Sequence, residues 1–97
     1  MPKQVRAHAI ITGKVQGVFF RMETQRAARN RGVTGWVRNK MDGSVEAVFE
    51  GAEADVKATL AWCQEGPSHA RVSHVDVTWQ EYTGEFEIFE VTYYSPG

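Results

Sequence analysis

Apolar and polar residues alternate through VRAHAIIT (5–12), with Val5, Ala7, Ala9 and Ile11 on one side and Arg6, His8, Ile10 and Thr12 on the other. A period of two predicts a strand with one buried face. RMETQRAARNRG (21–32) switches to helix formers and ends on Gly32, a residue suited to a helix C-cap. VTGWVRN (33–39) and SVEAVFE (44–50) return to strand composition around KMDG, where Asp42-Gly43 predicts a hairpin. AEADVKATLAWCQEG (52–66) predicts a second helix. Val56, Leu60 and Cys63 share a face, Glu53 and Asp55 lie near its positive end, and Gly66-Pro67 stops it. SHVDVTWQEY (73–82) predicts a further strand with Val75, Val77 and Trp79 together; FEIFEVTYY (86–94) predicts the last, with Phe89, Val91 and Tyr93 together.

The order is β-α-β-β-α-β, with a short extra strand or strand extension at the end. It predicts the α+β, ferredoxin-like plan: an antiparallel sheet with two helices on one face and water on the other. Residues 1 to 97 are expected to form a single domain. That plan carries enzymes, regulatory modules and RNA binders alike, so function has to be read from sites.

Composition narrows the classes. Hydrophobic content of 42% and charged content of 24% suit a soluble globular chain. The formal charge of −1 gives no global attraction to nucleic acid or anionic membrane, so any anion affinity must be local. MPKQVRAHAI lacks a secretory signal's apolar run, and no stretch is long enough to span a membrane. A cytoplasmic location is expected. The single cysteine, Cys63, falls in an apolar helical pattern and is expected to be buried. His8, His69 and His74 are scattered without metal-ligand spacing and are expected at the surface.

The stretch TGKVQGVFFRMETQ (12–25) poses a chemical question. A helix start normally supplies Ser, Thr, Asp or Asn to accept bonds from its free amides. Between Gly13 and Phe20 none of these occurs. Gly13 and Gly17 instead permit sharp turns and close approach of a ligand, and Arg21 adds a planar cation. Free amides, the positive end of the helix dipole and a guanidinium together describe a seat for a tetrahedral dianion. Glycines in such loops also simply make turns, and on the residues alone both readings stand. The loop matches neither a Walker A pattern nor G-x-G-x-x-G.

GKVQGVFFR resembles the G-x-V-Q-G-V-x-F-R signature of acylphosphatases, and GVTGWVRNKMDGSVEAVFEG resembles their second motif, G-W-V-x-N-x-x-D-G-x-V-E. GPSHARV and GEFEIFEV are similar to later segments of the same family, in the same order. The resemblance implies hydrolysis of acyl phosphates to a carboxylate and inorganic phosphate. It implies that the loop backbone over Gln16, Gly17, Val18, Phe19, Phe20 and Arg21 binds the phosphoryl oxygens, that Arg21 is catalytic and that Asn39 orients the attacking water. It further implies no metal, no cofactor and no covalent phosphoenzyme.

General chemistry agrees with so spare a site. Phosphoryl transfer relies mostly on positioning and electrostatics, and a carboxylate leaving group, with a conjugate-acid pKa of about 4, needs no general acid. Asn39 shares strand parity with Val33 and Val37, which aims it to the helix-bearing side, although an Asn before a hairpin is also a common turn residue. Phosphate and sulfate are the expected competing anions, and a monomer is expected. No specificity pocket for the acyl portion is legible. Trp36, Trp62 and Trp79 read as packing groups, with Trp36 also suited to the exposed sheet. Arg26, Arg29 and Arg31 read as a solvated helix face. Two other functions compete: a sheet-stacking RNA binder, disfavoured by strands without aromatic-rich motifs, and an acylphosphatase-like domain of a larger maturation enzyme, disfavoured by the short chain.

Overall fold

The computed structural model describes residues 2–93. Its elements are β1 (Gln4–Lys14), α1 (Phe20–Asn30), β2 (Thr34–Asn39), β3 (Val45–Ala52), α2 (Glu53–Glu65), β4 (Arg71–Gln80) and β5 (Phe89–Val91). They form one sheet in the order β4-β1-β3-β2-β5. The ferredoxin-like α+β plan predicted from the alternation is the fold observed. Its four long strands pair antiparallel, as expected.

The last strand departs from the prediction. Regular pairing covers only Phe89–Val91 instead of 86–94, and it runs parallel to β2. Tyr94, the end of the predicted strand, lies outside the described residues. The cause is topological. β4 and β2 lie towards opposite sides of the sheet, so residues 81–88 must cross a sheet face before β5 can pair. A strand entering after such a crossover can run parallel to its neighbour.

Alternation along β1 sends Val5, Ala7, Ala9 and Ile11 into the core beneath the helices. There they meet Val37, Val45, Ala47 and Phe49 from the sheet and Phe20, Ala28, Val56, Leu60 and Cys63 from the helices. Phe49 stacks on Phe89 with centroids 5.4 Å apart, and Phe20 meets Trp62 at 5.6 Å. Burial pushes the Cys63 thiol up to about 12, so it stays a neutral core residue at physiological pH.

The other sheet face is not simply wet, which corrects the expectation of water there. Trp36 and Val48 are buried but lie outside the main core cluster. Trp36 shares a shallow cleft with residues 85–88 of the crossing segment. That segment is pinned by Glu50, whose fully buried carboxylate accepts from the Thr83 amide (2.9 Å), the Thr83 hydroxyl (2.9 Å) and the Gly84 amide (3.0 Å). Arg6 adds a bond to Glu50 at 3.1 Å and another to Glu85 at 2.8 Å. Trp79, read as a packing group, is instead about half exposed on the edge strand β4.

Candidate active site

The β1–α1 loop is held by what it buries. Val15, Val18 and Phe20 point into the core, while Gly17 and Phe19 face outwards. Gly13 sits at the irregularity where β1 and β4 shift register, and a Cβ there would collide with the Arg71 carbonyl oxygen. Only glycine fits so close an approach. Gly17 differs: at φ 73 its backbone is left-handed, yet a Cβ would meet nothing within 4 Å. Space lies open in front of it.

The N-cap of helix α1 is Phe19, whose φ of 63 and ψ of 20 are left-handed and which makes no side-chain cap bond. A non-glycine residue there costs on the order of 1 kcal/mol. The first helical bond runs from the Glu23 amide to the Phe19 carbonyl at 3.0 Å. Among the described residues, no protein acceptor meets the backbone amides from Gln16 to Met22. The opposite end of the helix is capped by the chain itself. Gly32, at φ 67, donates to the Arg29 carbonyl (3.1 Å) and Val33 donates to the Ala28 carbonyl (2.9 Å). These are the two bonds of a Schellman motif, which makes Gly32 the terminator its place in the sequence predicted.

Arg21, in the first turn, and Asn39, at the end of β2, line a common cleft of about 450 Å³ with Gly17, Phe19, Met22, Gln25, Val91 and Tyr93, over Val15 and Phe20. The Arg21 guanidinium lies 5.5 Å from the centre of the Tyr93 ring. Asn39 is half-buried, and its Oδ1 is buried with no hydrogen-bond partner among the described residues. Its strand parity with Val37 places it on the helix side, as the alternation predicts.

Of the residues expected to bind, Gly17, Phe19, Phe20, Arg21 and Asn39 meet at this cleft; Gln16 and Val18 do not line it. Val18 is a core anchor. The Gln16 carboxamide turns away and donates to the Lys40 and Ser44 carbonyls at 2.7 and 2.8 Å. It ties the loop to the hairpin that follows Asn39. Within that hairpin the Asp42 carboxylate accepts from the Ser44 hydroxyl (2.6 Å) and amide (2.9 Å), and these bonds hold its carboxyl below the usual range. Asp42 is turn chemistry, as its DG dipeptide suggests.

Met22, Gln25, Val91 and Tyr93 were missed by sequence reasoning. Gln25 carried a usable signal, since it stands four residues after Arg21 on the same helix face. Tyr93 carried only its parity with Val91, and its place beside Arg21 follows from the parallel docking of β5 beside β2. Arg29, read as solvated, donates its Nε to the Phe89 carbonyl at 3.0 Å and helps seat β5. His8, read as a surface residue, is half-buried on the outer face and bonds Glu46 at 2.7 Å, far from the cleft by strand parity.

Comparison with known proteins gives a consistent result. A family model described as Acylphosphatase matches residues 7–91. The chain is 52% identical over 90 residues to an acylphosphatase of Pelotomaculum thermopropionicum, spanning 93% of this chain and 98% of that one. It is 54% identical over 88 residues to one from Syntrophus aciditrophicus, spanning 91% and 92%. Its fold superposes on the crystal structure of acylphosphatase from Bacillus subtilis with a TM-score of 0.89 at 31% identity, covering 92% of this chain and 99% of that one.

Proposed function

We propose how this chain, which belongs to the acylphosphatase family, carries out acyl phosphate hydrolysis. The backbone amides from Gln16 to Arg21 and the Arg21 guanidinium hold the phosphoryl oxygens, and the Asn39 carboxamide holds the attacking water. The observation that carries this reading is that Gly17, Phe19, Phe20 and Arg21, whose amides meet no protein acceptor among the described residues, line one cleft with the Arg21 guanidinium and the buried Asn39 oxygen, which meets no donor among them. A buried acceptor left unpaired costs about 1–3 kcal/mol, and a water bound there removes that cost while its lone pair faces phosphorus.

The water oxygen forms the new bond to phosphorus as the bond from phosphorus to the acyl oxygen breaks. The electron pair leaves with the carboxylate, and the water proton passes to a phosphoryl oxygen of the substrate. Charge spread over the equatorial oxygens is met by donors already in place, which removes reorganisation from the barrier. A phosphomonoester would have to expel an alkoxide, and among the described residues no carboxyl or imidazole lines the cleft to protonate it. Selectivity for acyl phosphates then follows from leaving-group chemistry. Metal independence is part of the same proposal.

The test is phosphate release from acetyl phosphate or benzoyl phosphate with a chelator present. Release above the spontaneous rate, unchanged by the chelator, is expected. Release only at the spontaneous rate would overturn the reading.

A further inference from the structure

The cleft is larger than its anion seat needs. Its volume of about 450 Å³ is on the order of ten times what one water occupies in the liquid. The surplus is walled by exposed apolar side chains. Phe19 is 69% exposed, Met22 57% and Tyr93 82%, and these are three of the seven exposed large apolar side chains among the described residues. All three border the same cleft, beside the half-buried Val91. Scattered exposed apolar residues need no explanation, but a cluster around a polar seat does. Phe19 adds a second oddity. It holds a left-handed backbone that glycine or asparagine would adopt more cheaply, and the result is an aromatic ring turned to solvent.

We infer that Phe19, Met22 and Tyr93 form a subsite for the acyl group and that this enzyme favours acyl phosphates with an apolar, preferably aromatic, acyl group over acetyl or carbamoyl phosphate. The inference rests on the phosphoryl seat proposed above, because that seat fixes where the acyl group must project. A phosphoryl group on the loop amides and Arg21 leaves its acyl group to project into the rest of the cleft, where among the described residues Phe19, Met22 and Tyr93 form the exposed apolar rim. Among the described residues Arg21 is the one cationic side chain lining the cleft, and the proposed seat commits it to phosphate. A second anionic group on the acyl portion therefore finds no partner there. A flat ring, by contrast, can lie against Phe19 and Tyr93 in the offset or edge-on contacts aromatic pairs favour. Because the rim is open to solvent, it discriminates by contact and excludes nothing.

The experiment compares kcat/KM for acetyl, butyryl and benzoyl phosphate, each divided by the compound's spontaneous hydrolysis rate. A rise across the series of at least ~10-fold is expected, the scale at which apolar contacts discriminate. In Met22→Ser and in Tyr93→Ser the benzoyl-to-acetyl ratio should fall by about three-fold or more. A flat series, or a ratio unmoved in both variants, overturns the subsite and leaves the hydrolysis reading intact. Phenylphosphonate and methylphosphonate supply a readout without turnover. The phenyl compound should raise the unfolding temperature more at equal concentration, and this advantage should shrink in the same variants. If no acyl phosphate is hydrolysed, the proposed function fails, and the phosphonate pair still decides the subsite: equal stabilisation by both overturns it.

Discussion

The molecule contains two arrangements of backbone amides and one arginine, at opposite ends of its sheet, and they differ in what faces them. At one end the successive amides of Thr83 and Gly84, with Gly84 left-handed at φ 70, join the Arg6 guanidinium around the buried Glu50 carboxylate. At the other, the amides of the loop around Gly17, left-handed at φ 73, adjoin Arg21, and among the described residues no protein carboxylate or carbonyl meets them. Eight residue steps along β1 separate Arg6 from Lys14, where the loop begins, or about 26 Å. The chemistry is nearly the same. In the first case the chain brings its own anion and gains a pinned crossover; in the second it leaves a seat that a ligand anion can take. Glu50 also shows which charge such a seat favours. Burial alone pushes its carboxyl up, yet the bonds from Thr83, Arg6 and Gly84 outweigh burial and hold it below the usual range.

The largest expected effect of separating the two is on stability. Glu50→Ala leaves the Thr83 and Gly84 amides without their acceptor and removes one of the two carboxylates that hold Arg6, and it should cost about 3 kcal/mol in denaturant unfolding. Because the two seats are far apart, kcat/KM of the folded variant should change by less than about two-fold. Loss of activity on the scale of the stability loss would mean the crossing segment reaches the active cleft.

Arg21→Ala should behave in the opposite way. A rate loss of at least ~10²-fold on acetyl phosphate is expected, about 2.7 kcal/mol in transition-state binding, with stability changed by less than about 0.5 kcal/mol. Inorganic phosphate at ten times its dissociation constant should stabilise the native protein by about 1.4 kcal/mol and do much less for this variant. A variant that keeps both rate and phosphate stabilisation would break the parallel between the two arginines.

Asn39→Ala sharpens the contrast within the active cleft. Turnover should fall about ten-fold, the scale of losing one orienting contact, while inhibition by phosphate stays near its native value. If phosphate affinity vanished and turnover of bound substrate survived, Asn39 would belong to the anion seat instead.

The two seats also differ in how far they could be read from the sequence. The proposed anion seat is local: the loop, its glycines and Arg21 are contiguous, and a helix without a polar cap is visible in the letters themselves. Strand parity placed Asn39 on the helix side, but its expected role came from the family resemblance. The Glu50 seat is non-local. In SVEAVFE that glutamate looks like an ordinary outward residue, and its partners come from 33 and 34 positions later and from β1. For the same reason the short parallel β5, the burial of Trp36 and the place of Tyr93 were illegible, since all depend on how residues 81–88 cross the sheet. Gln16 is an intermediate case. Its place in the loop was evident, but its bonds to Lys40 and Ser44 depend on tertiary docking of the hairpin.

The smallest expected effect is on the pH dependence of folding, and it isolates the occupied seat from the open one. Glu50 and Glu46 both titrate below the usual range. Burial raises each, but for Glu46 the bonds from His8 and Arg38 win, and for Glu50 those from Thr83, Arg6 and Gly84. A carboxyl whose folded pKa lies below its unfolded value of about 4.3 releases its proton more readily in the folded state. Its contribution to stability is therefore fully present above about pH 4.3 and is lost as pH falls through the lowered folded value. Urea midpoints measured from pH 7 down to pH 3 should drop in the native protein and drop less steeply in Glu50→Gln, whose carboxamide cannot titrate. Among the described residues no carboxylate lines the active cleft, so Arg21→Ala should keep the native pH slope. If Glu50→Gln retained the full slope, the anion in the Thr83–Gly84 seat would not be a source of acid sensitivity, and Glu50 would no longer serve as the internal reference for what the Arg21 seat does to a bound phosphate.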